Sequence, residues 1–315
     1  MAMTPRGGFD CAAAGRAALR CLCLAAALTP LAAQNDRPPA EALASLQERG
    51  RLIALYLQAV DKAADLLKAQ GSGASPSDRT VVIPDREGWR VIYVGDSSRD
   101  LAASGMVRKG LSIVAETTFS PDAGQLGTLG LASPPRAASA TIQSYVRSLE
   151  QAEIATIGRP EGGRPLLEAV VREKDATFTV YVISQQKEGG ERDVAAGMGG
   201  SVLFGRDFMV RIAASGRQVL SVEKLHDRNT SMSLQPRAPG TPLLHEHDQR
   251  DLPAPTDVAL VLRHRVLAPL LVLTPRFMFR IDAEGAVTWL GPNPNSKPAT
   301  SQGAGPASPG RADAP

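Results

Sequence analysis

The sequence predicts an α+β fold of mainly antiparallel sheet, with amphipathic helices on the N-terminal side and a disordered C-terminal tail. Three observations carry this. Strand-like segments come in runs joined by short turns rather than in strict alternation with helices, the pattern of segregated helices and antiparallel sheet. Two stretches, residues 39–69 and a segment ending near Gly158, space their apolar residues at helical intervals. From Pro292 onward the chain is Pro, Ser, Gly and Ala with isolated charges, a composition that buries too little apolar area to offset ordering entropy.

Taken in order, Arg6, Arg16 and Arg20 precede an apolar run over residues 21–33 that closes on Leu31, Ala32 and Ala33. The run is about 13 residues, short of the roughly 20 a spanning helix needs, so it reads as a cleavable export signal over residues 1–33. Leu46, Ile53, Leu57, Val60, Ala64 and Leu67 then follow a helical period, one long helix or two with a break at Gly50. Strands are expected at residues 80–83, 89–94 and 111–119, a loop over the Pro- and Gly-rich residues 120–136, and a helix carrying Ile142, Val146, Leu149 and Ala152. Further strands are expected at residues 166–171 and 176–184. Hairpins are expected around Gly216, which supplies the positive φ such turns demand, and around Gly285. The resulting organisation is a signal (1–33), an N-terminal helical and strand region (34–160), a β-rich region (161–291) and a tail (292–315).

Charge and cysteine content narrow the function classes. The chain carries 35 basic and 32 acidic residues; removal of residues 1–33, with three arginines and Asp10, leaves 32 against 31. A nearly neutral body with few aromatics argues against a nucleic-acid partner. The next apolar stretch, residues 258–274, is interrupted by Arg263, His264 and Arg265, so an integral membrane protein is not expected. Cys11, Cys21 and Cys23 all precede the expected cleavage point, so the mature chain would fold without disulfides. Heavy use of Ala, Gly, Pro and Arg points to a bacterium with a GC-rich genome.

The chemical lead is histidine. All four histidines, His226, His245, His247 and His264, lie within about 40 residues, and His245 and His247 are one residue apart. On an extended segment, alternate side chains share a face, so a His-x-His pair can aim two imidazoles at one point, and neutral imidazole is the commonest protein metal ligand. Asp257 follows ten positions later, in the first turn of a helix whose expected N-cap is Thr256; its bland reading is a carboxylate at a helix start. His264 reads as a solvated side chain, and His226 as a strand-end residue able to approach the pair. Trp89 and Trp289 read as strand core. Gly197-Met198-Gly199-Gly200 lacks a following helix start and reads as a turn rather than a phosphate cradle.

The order strand, His-x-His, loop, Asp at a helix start, strand and hairpin resembles the end of the JAB/MPN (JAMM) metalloprotease domain, over residues 242–291. The resemblance implies zinc as cofactor, His245, His247 and Asp257 as its ligands, and an upstream glutamate as general base. It also implies a serine three residues before the aspartate, where this chain has Ala254, and a proline after the second histidine, where it has Asp248. Glu168, Glu188, Glu191 and Glu223 are the upstream acids. Two functions follow as expectations. One is an exported, periplasmic or secreted protein with a divergent, non-catalytic JAB/MPN-like region holding zinc. The alternative is a metal-free, non-enzymatic module that binds a protein or cell-envelope component, which an exposed stripe of Leu46, Ile53, Leu57 and Val60 would favour. No Gly-x-Ser-x-Gly nucleophile motif is present to support another hydrolase chemistry.

Overall fold

The computed structural model describes residues 37–70, 79–85, 88–96, 110–157, 166–184, 201–205, 207–226, 228, 230–238 and 240–296. The expected export signal, the glycine run at 197–200 and the expected tail past residue 296 lie outside the described residues. Described residues from Glu41 onward belong to one compact unit with an α+β architecture.

Helix α1 (Ala40–Ala69) is a single helix of 30 residues, not two. Gly50 is no break. It is a contact point: a Cβ there would lie 2.5 Å from Val258 Cβ and 2.9 Å from the Pro255 carbonyl oxygen, so glycine is what lets another helix cross α1 closely. Leu46, Ile53 and Leu57 are buried and Val60 is packed against the same core, so the expected docking stripe is consumed within the chain. Among the described residues no helix is long and apolar enough to cross a membrane.

The first sheet contains β1 (Arg79–Asp85), β2 (Gly88–Asp96) and β3 (Leu111–Ser120), paired antiparallel in that order. The expected loop at residues 120–136 is wrong. It holds β4 (Gln125–Leu126) and β5 (Gly130–Ala137), both paired with β3. Pro134 and Pro135 hid β5, because proline cannot donate to a ladder; the register shifts between Ile113 and Ala115, so the prolines fall where pairing lapses, on an exposed edge.

The second sheet is fully antiparallel, in the order β10 (Val219–Lys224), β9 (Phe208–Ile212), β7 (Phe178–Ser184), β6 (Leu166–Arg172). Helix α2 (Ala140–Ile157) packs on it, with Tyr145 edge-on to Phe178 at 4.9 Å between ring centroids. The β9–β10 turn presses on the same helix: Gly216 sits at φ +73°, and a Cβ there would meet the Ser144 carbonyl at 2.2 Å. A short ladder joins β8 (Ser201–Phe204) to β11 (Thr230–Ser233).

The last sheet has the order β12 (Leu243–Glu246), β13 (Leu270–Leu273), β14 (Phe277–Ile281), β15 (Val287–Pro292). β12 and β13 are the one parallel pair among the described strands, and a parallel pair requires a crossover. Helix α3 (Pro255–Arg263) and a 3-10 turn (Arg265–Leu267) supply it. Order also persists past residue 292, since the Asn293 side chain donates to the Thr274 carbonyl at 2.7 Å and its N–H to the Arg276 carbonyl at 2.8 Å.

Gly50→Ala separates two opposed effects. Helix propensity alone favours alanine by about 1 kcal/mol, whereas overpacking against Val258 costs about 1–3 kcal/mol. Urea denaturation should show a net loss of stability; a gain would mean that α3 yields at this crossing.

Candidate metal centre

Two strand ends and one helix start build the site. Lys224 pairs with Phe208 across β10 and β9, and the Leu225 N–H donates to the Asp207 carbonyl at 2.7 Å. Asp207 and His226 therefore flank the same end of that pair. His245 lies within β12 and pairs with Val272, and His247 extends the ladder by donating its N–H to the Leu273 carbonyl at 2.7 Å. Asp257 sits in the first turn of α3, as expected, but Thr256 is not the cap. Ala254 takes the N-cap position and Pro255 the first helical one, where proline's missing donor costs nothing. Alanine has no oxygen with which to cap, so Asp257 reaches back, accepting the Ala254 N–H on Oδ2 at 2.8 Å.

The rings of His245 and His247 and the Asp257 carboxylate do converge, and His226 joins them. His226 Nε2 is 2.8 Å from Asp257 Oδ1, His247 Nε2 is 2.8 Å from Oδ2, and His245 Nε2 is 3.6 Å from Oδ1. One ligating atom from each of the four lies within 4.8 Å of every other, so together they can hold a metal ion. All are buried, at 1% exposure for His226 and His245, 4% for His247 and 0% for Asp257. Phe204 of β8 closes over His245, with ring centroids 5.0 Å apart. Asp207, at 0% exposure, lies behind His226 with Oδ2 3.3 Å from Nδ1.

Burial is the largest influence on Asp257, His226, Asp207 and His245, and for the first two the neighbours decide the outcome. For Asp257, burial opposes the charge, but His247 and His226 outweigh it and hold the carboxyl well below its ordinary range. For His226, burial acts against protonation, yet the Asp257 charge and Asp207 raise it to about 10. Asp207 is pushed up by burial, with His226 and Thr256 pulling against it. At 2.8 Å, against 3.3 Å for Asp207, Asp257 is the partner that keeps His226 charged in the metal-free protein. Burial drives His245 down to about 3, so its imidazole is neutral, the form that binds metals.

Other residues fall elsewhere. His264 is not solvated: it caps α3, its N–H donating to the Leu260 carbonyl at 2.9 Å, and burial with Arg263 beside it lowers it to about 4. Glu168 lies on β6, three strands from β10, where burial raises it to about 7 against the opposing Arg79, 3.4 Å away. Glu223 is exposed and paired with Arg250. Glu188 and Glu191 lie outside the described residues. Trp89 is half-buried against Phe119 at 6.0 Å, and Trp289 is partly buried against the core.

No family model, curated protein or solved structure matches this chain. The site therefore stands on its own geometry. The sequence offered His245, His247 and Asp257; the structure adds His226 as a fourth donor and Asp207 behind it. His226 had the signal of proximity in sequence to the other histidines. Asp207 had none, since an aspartate ahead of a strand is ordinarily a solvated turn residue.

The shifts set a pH profile for the metal-free protein. His226 is raised above its ordinary value of 6.5, so its contribution is complete below pH 6.5 and is lost as pH rises through about 10. Asp257 is lowered below 3.8, so its contribution is present above that value and lost as pH falls through its depressed pKa. In chelator-treated protein the Tm should decline between pH 7 and 10, and His226→Gln should flatten that decline relative to wild type.

Proposed function

We propose that the β-rich region, residues 161–291, is organised around a closed zinc site with His226, His245, His247 and Asp257 as ligands, in an exported, non-catalytic protein. One observation carries this reading. The His245 imidazole is 1% exposed and neither ring nitrogen has a hydrogen-bond partner, although Nε2 points among three other donors. An unsatisfied buried polar group costs about 1–3 kcal/mol, and a cation accepting the Nε2 lone pair removes that cost.

The donor set and spacing support zinc. Three imidazoles and a carboxylate are borderline ligands suited to it, and zinc bonds of about 2.0–2.2 Å in a tetrahedron separate the donors by roughly 3.3 Å. The Asp257 contacts of 2.8 and 3.6 Å lie on either side of that spacing, and all four donor atoms lie within 4.8 Å of one another. Four protein ligands in a site this buried suit a structural ion, because catalytic zinc ordinarily keeps one position for water. In a JAB/MPN-like scaffold three ligands would leave that position open; His226 fills it. Ala254 in place of an oxyanion-stabilising hydroxyl, and the remoteness of Glu168, support the same reading. The arginine-led apolar run at residues 21–33 supports export.

A metal-free polar network is the alternative, as part of an envelope-binding module. It is favoured by the Asp257 carboxylate, which already engages His226, His247 and the Ala254 N–H. It leaves His245 without a role and is the weaker account.

Elemental analysis of the purified mature chain should find close to one zinc per chain, falling by at least about tenfold in His226→Ala and His247→Ala, with a lower Tm after chelation. Wild-type protein that takes up no zinc when refolded with it rejects the site.

A further inference from the structure

Among the described residues, Asp207 is the acid in contact with the cluster that the zinc reading does not use. It is wholly buried, yet neither carboxylate oxygen has a hydrogen-bond partner. Its Oδ2 stands 3.3 Å from His226 Nδ1, the nitrogen turned away from Asp257. The backbone fixes this contact, because the Leu225 N–H donates to the Asp207 carbonyl and pins the residue before His226 to the strand end that carries Asp207. The Nδ1 atoms of His245 and His247 have no hydrogen-bond partner either, and neither ring has a second carboxylate behind it among the described residues.

We propose that Asp207 is a positioning residue for His226: it accepts the Nδ1 proton, fixes the tautomer with a free Nε2 lone pair, and aims that lone pair at the metal. This inference rests on the zinc reading and deepens it. A buried carboxylate without a donor is costly, and the His226 N–H is a donor within reach, with the Thr256 hydroxyl beside it. An imidazole whose far nitrogen donates to a carboxylate is a more basic and better oriented ligand, and loss of such a partner ordinarily weakens metal binding by about 10–100-fold. Asp207 holds the fourth ligand, the one that closes the site.

The test compares zinc affinity of the full mature chain with its Asp207→Asn variant, by competition with a chromophoric chelator, alongside the absorption spectrum of each cobalt(II) form. The expected result is a 10–100-fold loss of affinity with the four-coordinate cobalt spectrum retained. Equal affinities overturn the proposal and leave the zinc site standing; a changed coordination number overturns it too, by making Asp207 a direct ligand. No zinc in wild type removes both readings. If Asp207→Asn does not fold, nitrogen-15 spectra of the zinc-loaded wild type decide: His226 should be protonated at Nδ1 and ligated at Nε2, and any other tautomer refutes the assignment.

Discussion

The buried carboxylate of Asp257 is the constraint on which the C-terminal architecture depends. It caps α3 through the Ala254 N–H and engages His226 and His247 from two different sheets. A carboxylate at 0% exposure is tolerable only with several donors, and the helix N-terminus adds a favourable dipole. Because those donors lie just past the ends of β10 and β12, ordering Asp257 joins the second sheet to the last one. The helix that carries it is set from the other side by α1, which meets Val258 at Gly50 and pairs Asp61 with Arg263 at 2.5 Å. Gly50 of α1 thus bears on the placement of Asp257, more than 200 positions later, within the cluster.

This arrangement suits a chain with no cysteine after Cys23. Beyond its apolar core, a fold in that position can staple distant segments only with polar clusters or ions. A disulfide stabilises by restricting the unfolded chain, whereas a metal site adds binding free energy to the folded state directly, about 10–16 kcal/mol in small zinc domains. Four ligands drawn from residues 226, 245, 247 and 257 would tie three elements with a single ion, where a disulfide ties two.

The sequence made part of this legible, for physical reasons. Strands with apolar alternation, such as Phe178-x-Val180-x-Val182, and hairpins marked by Gly216 and Gly285 declare themselves locally. So does His-x-His, since alternation alone puts both rings on one face. What escaped depends on partners distant in sequence. Gly50 looks like a helix break until Val258 is found against it. Pro134 and Pro135 look like loop until β3 is seen to skip them. Thr256 is the better cap by residue type, but Pro255 at the first helical position displaces the start of α3 to Ala254. Asp207 becomes meaningful only because β9 and β10 pair in register and bring it to His226.

Charge balance explains why two aspartates accompany three histidines in so dry a place. Three neutral imidazoles would leave the buried charge of Asp257 uncompensated, at a cost of several kcal/mol, and would leave Asp207, already pushed up by burial, with nothing to favour its ionised form. Protonated histidines offset this, which is why His226 is held charged to about 10. They do so poorly, because a proton on one ring cannot satisfy His245, which stays neutral and without a hydrogen-bond partner. A divalent cation neutralises both carboxylates at once and gives each imidazole a lone-pair acceptor. Asp257 alone would leave such a site with net positive charge; Asp207 cancels it. If the cluster holds such a cation, the second aspartate is as much a part of the site's composition as the four donors.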